Sequence, residues 1–448
     1  MSAEKQYIDL YTECREMIEE HSAPLMNALR EKAFEDFKQL GFPTRKQERY
    51  KYTDVAKSFE PDYGLNLKRL DIPVNPYDAF KCDVPNLSTS LYFMVNDQFY
   101  DKALPGAQLP DGVFIGSLLD AAKSDKAGLI EKYYGKLART HKDALNALNT
   151  MLVQDGLFVY IPKGVVVERP IQVVNILRSN VDLMVNRRVL VVLEEGAEAK
   201  LLFCDHAADD KEFLTTQIME VYAGENAHLE LYELEETHVK NHRFSNLYAD
   251  QKAYSTVTLD NIALHNGVTR NRTDLTLNGE YAECTLNGLV IADKEQKVDN
   301  NTLIDHKAAH CQSHELYKYV LDDKAECAFA GRVLVREGSQ QTVSEETNAN
   351  LLGSKEARIY TQPMLEIYAD DVKCSHGSST GQLGDEQLFY MRQRGIPLEE
   401  ARMLLKFAFA ADVLDTIRMD ALRDRLHYLV DKRFRGELSK CEGCKLCK

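Results

Sequence analysis

The chain has 448 residues, 44% of them hydrophobic, and a formal net charge of −15 at pH 7. At roughly 150 residues per domain, this length predicts about three domains. The acidic balance argues against a protein that binds nucleic acid or a membrane surface, because either would need a basic face. The opening residues predict no secretion signal, and no apolar run of about 18 residues predicts a transmembrane helix. The ten cysteines are therefore expected to be free thiols in a reducing cytoplasm.

The first part of the chain combines helical periodicity with an irregular stretch. Apolar residues recur at spacings of three and four across residues 6–40, which predicts two helices closed by Gly41. Cys14 lies on the apolar face of the first helix and is expected in the core. Residues 42–135 are predicted to be irregular, because prolines interrupt any long element. Helical spacing returns in residues 137–152.

From residue 157 to about residue 368, short β-branched or alternating runs follow one another, with Gly and Asn between them. The dipeptides Asn266-Gly267, Asn278-Gly279 and Asn287-Gly288 favour antiparallel hairpins, so a large β-sandwich is the default interpretation. A stack of many short strands also fits a β-solenoid, in which each coil covers the edge of its neighbour. The residues alone do not separate these two folds. The cysteines of these strands are expected to be small buried apolar residues: Cys204, Cys284 and Cys327.

A histidine-rich run, His306, His310, Cys311 and His314, lies within this strand-rich region. On a helix, His306 and His310 would share a face and form a metal site. Strand alternation instead predicts that the three histidines lie together while Cys311 faces away. We favour packing and hydrogen bonding, in the core or at a subunit interface, over metal binding.

The stretch Pro363–Gly381 begins as a strand and leads through Asp370 and Asp371 into Cys374 and His376. Side chains alternate along an extended chain, so Cys374 and His376 are predicted to point to the same side. A thiol and an imidazole on one face suit iron, zinc or sulfur chemistry. A buried cysteine beside a turn histidine explains so short a motif equally well. The two aspartates are expected to form a turn rather than to orient the imidazole.

Few motifs in the chain indicate enzymatic chemistry. Neither G-x-x-x-x-G-K-[ST] nor G-x-G-x-x-G occurs, so ATP hydrolysis would belong to a partner. The pattern G-x-S-x-G occurs once, at Gly377–Gly381 with Ser379 at its centre. A nucleophile elbow needs a helix directly after the serine, and residues 382–384 start a helix poorly. We therefore favour a Ser/Gly-rich turn there.

Helical periodicity returns after Gly395, where Pro397 suits a first turn. One apolar stripe covers residues 401–417, and a second covers residues 419–430. Phe407 and Phe409 cannot both face one core, so one of them is expected on the outside. An exposed aromatic side chain there would be a candidate anchor for a partner.

The chain ends with a cysteine-rich tail containing Cys441, Cys444 and Cys447. The spacing C-x2-C-x2-C offers three thiolates, as in the first part of a bacterial ferredoxin run, without the fourth ligand and the following proline. Three interpretations stay open: a metal or cluster site completed by another chain, a sulfur relay, or an incidental flexible tail.

Several segments together resemble the SufB/SufD family, whose members are subunits of the SufBCD iron–sulfur cluster assembly complex. The resemblance rests on Asp370–Gly377 with the Gly381-Gln382-Leu383 and Arg394-Gly395-Ile396 runs that follow. Residues 41–53 are similar to the family's entry motif and residues 155–171 to its first core strands, so the match covers about residues 41–417. The chain looks like the SufD branch. SufB chains tend to have Glu-His-Glu-Ala in place of residues 374–377, and a sulfur-accepting cysteine that residues 341–353 lack.

The resemblance implies a mainly β fold, with a right-handed parallel β-helix core flanked by N- and C-terminal α-helical domains. It divides the chain into a helical and irregular domain (1–153), a β-helix core (154–383), a helical domain (384–436) and the cysteine-containing tail (437–448). The acidic charge and the cysteine content, as argued above, predict a cytoplasmic protein without nucleic acid or membrane partners.

The resemblance also implies a non-catalytic scaffold without a nucleotide site of its own. It would pair with SufB through the last β-helix strands, bind the SufC ATPase through the C-terminal helices, and form a homodimer when alone. His376, with Cys374 near it, would bind iron or an Fe–S cluster transiently at the interface shared with SufB. Two other classes remain: a free-standing metal-binding protein and a β-solenoid enzyme. Flavin binding is left open.

Overall fold

The computed structural model describes residues 2–70, 76, 88–102, 104 and 109–437. Its centre is built from short strands that alternate between two facing sheets. The strands are β1 (Ser90–Val95), β2 (Gln98–Phe99), β3 (Phe114–Ser117), β4 (Leu157–Ile161), β5 (Ile171–Leu177), β6 (Leu183–Leu193), β7 (Glu198–Ala207), β8 (Phe213–Ala223), β9 (His228–Glu236), β10 (Asn241–Gln251), β11 (Thr256–His265), β12 (Val268–Leu277), β13 (Glu283–Ala292), β14 (Lys297–His306), β15 (Gln312–Leu321), β16 (Glu326–Ala330), β17 (Arg332–Val335), β18 (Thr342–Leu352), β19 (Arg358–Thr361), β20 (Met364–Ile367) and β21 (Val372–Gln382).

The strand order shows a parallel β-solenoid of about eight turns. Sheet A runs β3-β4-β6-β8-β10-β12-β14-β16-β19, with β17 beside β14 and β20 beside β17. Sheet B runs β2-β1-β5-β7-β9-β11-β13-β15-β18-β21. Strands of successive coils pair in parallel, and only the short strands β2 and β3 pair antiparallel in the described chain. The solenoid prediction is therefore confirmed, and the sandwich is excluded.

The Asn-Gly dipeptides do not form hairpins. Their glycines lie where successive coils pack too closely for a Cβ atom. Gly267 lies between β11 and β12, where an added Cβ would come within 2.4 Å of the Val239 carbonyl oxygen. Gly288 lies inside β13, where a Cβ would meet the Tyr317 ring at 2.1 Å. Asn-Gly is thus placed at contacts that only glycine permits.

Inward-facing apolar side chains stack coil upon coil and form one continuous core along the solenoid. Each buried Leu, Ile or Val contributes about 1.5–3 kcal/mol relative to exposure, and the ladder between coils satisfies the backbone groups. As predicted, the three strand cysteines are buried. Representative core residues are Val191, Leu193, Leu231, Leu259, Leu286, Val298 and Tyr319.

The N-terminal helices pack on the outer face of sheet A, against Met184, Leu214 and Phe244. Local signals set their ends: the Ser2 hydroxyl accepts from the Lys5 amide, and Gly41 ends a helix at φ 61°. Cys14 is half-buried against this cluster. The helices are α1 (Ala3–Glu20), α2 (Pro24–Asn27), α3 (Arg30–Leu40), α4 (Val55–Phe59), α5 (Leu118–Ala122), α6 (Ala127–Tyr133) and α7 (Ala144–Leu152).

Two sequence-based predictions for this region need correction. Residues 42–135 are not wholly irregular, because β1 pairs in parallel with β5 from Ser90↔Ile171 to Val95↔Ile176 and thereby joins sheet B. The helix predicted over residues 137–152 begins only at Ala144. Asp143 ends the preceding turn, and its side chain accepts hydrogen bonds from the first amides of α7.

The C-terminal helices α8 (Asp385–Gln393), α9 (Leu398–Leu414) and α10 (Asp420–Phe434) follow the solenoid. Val413, Leu414 and Leu426 pack with Ile262 and Leu289 on the outer face of sheet B. The two apolar stripes predicted after Pro397 are confirmed as α9 and α10. None of the helices in the described ranges is long and apolar enough to cross a membrane.

Candidate functional site

The stretch that carries Cys374 and His376 forms β21, the last strand of sheet B. Within the described chain β21 pairs along one edge only, with β18. Nine of its eleven residues are exposed. An exposed edge of this length is a template for pairing with another strand.

Strand alternation holds at β21, as predicted. Cys374 lies in register with Ser344 and His376 with Glu346, and both of these β18 residues face the interior. The Cys374 side chain is half-buried and packs with Val333 and Val335 of β17, across the solenoid. His376 is exposed at the open end. Burial raises the pKa of the Cys374 thiol, so the thiol stays protonated until a metal or a base removes its proton.

A buried hydrogen-bonded chain leads through the interior to Cys374. His306 Nε2 lies 2.9 Å from the Ser313 hydroxyl, which lies 2.8 Å from the Ser344 hydroxyl. Ser344 is the register partner of Cys374. Burial lowers the pKa of His306 to about 4, so its imidazole is neutral at neutral pH. The predicted packing role of His306 in the core is confirmed.

The other residues of the histidine-rich run lie elsewhere, so the prediction that the three histidines lie together is wrong. His310 sits at the corner between β14 and β15 with φ 60°, and its ring stacks on Tyr281 at 4.6 Å. His314 is on the outer face of β15, with Nδ1 3.9 Å from Glu345. Cys311 is buried in the core, as His306 is, instead of facing away from the histidines. The corner at His310 interrupts the strand and with it the alternation.

A second interior column leads to His376, and sequence reasoning missed its members. Glu315 of β15 pairs in register with Glu346 of β18, which pairs with His376. Both glutamates are buried, and burial together with the Glu346 charge raises the pKa of Glu315 well above its ordinary value. Side chains also alternate along β18. If β18 had been known to pair with β21, this alternation would have predicted that Glu346 faces the interior.

The Ser/Gly-rich motif around Ser379 is not a turn, so that prediction is wrong. Residues 377–381 continue β21 and pair with Thr347–Leu351 of β18. Ladder hydrogen bonds thus override the turn preference of Ser and Gly. Ser379 is followed by further strand, so the strand–turn–helix geometry of a nucleophile elbow is missing at Gly377–Gly381.

Neither Phe407 nor Phe409 is exposed, contrary to prediction. Phe407 packs with the helix cluster, and its ring lies 5.5 Å from that of His427 on α10. The centroid of the Phe409 ring lies 4.3 Å from Nζ of Lys318, a residue of β15. Both phenylalanines are therefore partly covered by neighbours on different sides. The exposed large aromatic side chains of the C-terminal helices are Phe389, Tyr390 and Tyr428.

Two of the predicted metal-binding groups lie on the same strand of the described chain. Cys374 and His376 project from the same face of β21. In the part of the chain that the structure describes, no three His, Cys, Asp or Glu side chains converge to hold a metal ion. Cys441, Cys444 and Cys447 lie outside the described residues.

Comparison with known proteins accounts for nearly the whole chain. Residues 1–173 match the family model "SufBD protein N-terminal region", and residues 176–409 match "SUF system FeS cluster assembly, SufBD core domain". The iron–sulfur cluster assembly protein SufD of Escherichia coli is 29% identical over 88% of this chain and 90% of its own length. SufD of Bacillus subtilis is 26% identical over 97% of this chain and 98% of its own length. The chain therefore belongs to the SufBD family of the SUF iron–sulfur cluster assembly system, and its similarity to SufD proteins supports a place in the SufD branch.

Proposed function

We propose that this chain is a non-catalytic scaffold subunit that pairs with a SufB-type subunit through β21. The observation that carries the proposal is the long exposed edge of β21, which bears Cys374 and His376 on one face. A second solenoid whose last strand pairs with this edge would continue sheet B across the interface. The chain alone would form a homodimer through the same edge.

In this role His376 is a ligand for the iron or the cluster that the complex builds, which is the complex's cargo. A neutral imidazole binds Fe(II) without first being activated. Cys374 supplies a thiol near the same site. A four-ligand site needs more donors than these two residues, so SufB-type residues across the interface would complete the coordination.

The C-terminal helices are the proposed docking surface for a SufC-type ATPase, which would hydrolyse ATP. Phe389 and Tyr390 on α8 are 63% and 57% exposed, so they replace Phe407 and Phe409 as the proposed anchors. The division into residues 1–153, 154–383, 384–436 and 437–448 follows these roles, except that β1, β2 and β3 belong to the sheets of the core. None of the six cysteines in the described part of the chain forms a disulfide, in keeping with a reducing compartment such as the cytoplasm.

Hydrogen exchange tests the β21 interface directly. The chain is co-expressed with SufB-type and SufC-type subunits, and its amide exchange is compared with that of the isolated chain at low concentration. Exchange of residues 372–382 should slow in the complex, because their free edge becomes paired. Strand β2, at the other end of sheet B, is the control and should not change. A complex that forms while residues 372–382 exchange as before would refute the proposed interface.

A further inference from the structure

Two carboxylates inside the solenoid have no role in the interactions described so far. Glu315 is 2% exposed and Glu346 is 0% exposed, and they lie in register on neighbouring coils. Among the described residues, none makes a hydrogen bond of normal geometry to any of their four carboxylate oxygens. Burying such groups without partners is unfavourable, and such cases point to a function or to a missing ion.

At another place in the interior, arginines supply positive charge to a cluster of acidic side chains. Asp205 accepts from Arg187 Nη1 at 2.7 Å and lies 2.9 Å from Arg243 Nε. Arg243 Nη2 also donates to Glu233 at 2.9 Å. Glu315 and Glu346 have no such arginine or lysine among the described residues. The pair therefore differs from the acids around Asp205, which arginines of the same solenoid neutralise.

A further oxygen donor and a glycine lie beside the two carboxylates. The Thr302 hydroxyl on β14 is buried, makes no other hydrogen bond in the described chain, and lies close enough to Glu315 to offset part of its pKa rise. Gly331 faces Glu346, and an added Cβ would come within 2.1 Å of Glu346 Oε1. Glycine at this position thus leaves room for the carboxylate.

Two adjacent carboxylates in a buried site cannot both ionise without a countercharge, so protons neutralise the pair in the metal-free chain. A divalent cation would supply that countercharge and displace the protons to solvent. Carboxylate and hydroxyl oxygens are hard donors, which suit hard divalent cations.

We propose that Glu315, Glu346 and the Thr302 hydroxyl form an internal binding site for a hard divalent cation, such as Mn2+ or Mg2+. The site lies one coil below His376, whose register partner is Glu346, so the open end of the solenoid is its entrance. This binding goes beyond the proposed scaffold role, because the chain would bind the cation without a partner subunit.

Mn2+ is the probe, measured with the full chain by electron paramagnetic resonance and equilibrium dialysis. Glu315→Gln and Glu346→Gln keep the side-chain shape and remove the charge. Glu345→Gln is the matched control, since Glu345 is the exposed neighbour on the same strand. His376→Ala distinguishes the internal site from the exposed imidazole. Competition with Mg2+, and with Fe2+ without oxygen, identifies the preferred cation.

Wild type, Glu345→Gln and His376→Ala should each bind one Mn2+, and binding should weaken at least about tenfold in both internal variants. Mn2+ should raise the melting temperature of wild type but not of Glu346→Gln. The proposal is overturned if wild type binds no Mn2+, if both internal variants bind it as wild type does, or if only His376→Ala abolishes binding. Should one internal variant fail to fold, the other and the wild-type stoichiometry still decide the question.

Discussion

Asp260 lies where the C-terminal helices pack on the solenoid. Replacing it by Asn should remove a loss of stability that wild type shows there as the pH rises. Asp260 lies on the outer face of β11 and accepts a 2.7 Å hydrogen bond from Asn287, which also donates to Thr416 at 3.1 Å, just after α9. Burial raises the pKa of Asp260 from 3.8 to about 7, and Glu230 adds repulsion. The buried contact is therefore most stable when Asp260 is neutral.

The free energy of unfolding falls as the pH rises, because the Asp260 carboxyl loses its proton at a lower pH in the unfolded chain than in the native chain. Below about pH 3.8 the carboxyl is neutral in both states and gives no penalty. As the pH rises towards 7, the unfolded chain ionises while the native carboxyl stays protonated, so folding becomes less favourable. Above pH 7 the penalty levels off at about 4 kcal/mol, because each pKa unit corresponds to about 1.4 kcal/mol. About half of this loss, roughly 2 kcal/mol, falls between pH 5.5 and pH 8.

Hydrogen exchange of α9 and α10 measures this difference, with variant and wild type compared at the same pH. The protection of Asp260→Asn relative to wild type should be about thirtyfold greater at pH 8 than at pH 5.5, since 1.4 kcal/mol is a factor of ten. Asp385→Asn is the control, because Asp385 is exposed on α8. An equal ratio of protection at both pH values would refute the argument that Asp260 is neutral in the native chain.

Three further predictions concern the C-terminal part of the chain. Arg433→Met removes donors to the Leu264 carbonyl (2.6 Å) and to Asp293 (2.7 Å). The free energy of local unfolding of α10 should therefore fall by about 3 kcal/mol. Unchanged amide protection of α10 would contradict this prediction. Phe389→Asp or Tyr390→Asp should abolish co-purification of the SufC-type ATPase while the chain stays folded; retention by both variants would remove the docking proposal. Deleting residues 438–448 should leave the melting temperature unchanged. If Cys441, Cys444 and Cys447 relay sulfur, the deletion should also slow cluster build-up, and a defect as large as that of His376→Ala would place the main chemistry in the tail.

Local pattern was enough to predict features that depend on one element. Alternation along a single strand placed Cys374 and His376 on one face, and the spacing of apolar residues after Pro397 predicted α9 and α10. The choice between sandwich and solenoid depends on which strands pair. Asn-Gly has the same local preference in both folds, so the resemblance to a family was needed to choose between them.

The errors arose where tertiary contacts outweigh local preference. The corner at His310 breaks the alternation that would have gathered the histidines. Pairing with β18 keeps the Ser/Gly-rich run around Ser379 extended. A search for sequence motifs could not find Glu315 and Glu346, because they are far apart in the sequence and become neighbours only when β15 pairs with β18.

His376 is the proposed cluster ligand at the interface with a SufB-type subunit. Reconstituting the purified three-subunit complex with iron and sulfide, in the absence of oxygen, shows whether it has this role. His376→Ala should assemble with both partners yet retain little iron and sulfide, because an incomplete coordination sphere binds a cluster weakly. His314→Ala, which removes an exposed histidine from the outer face of β15, should load like wild type. An intact His376→Ala complex that loads iron and sulfide normally would show that His376 is not a cluster ligand.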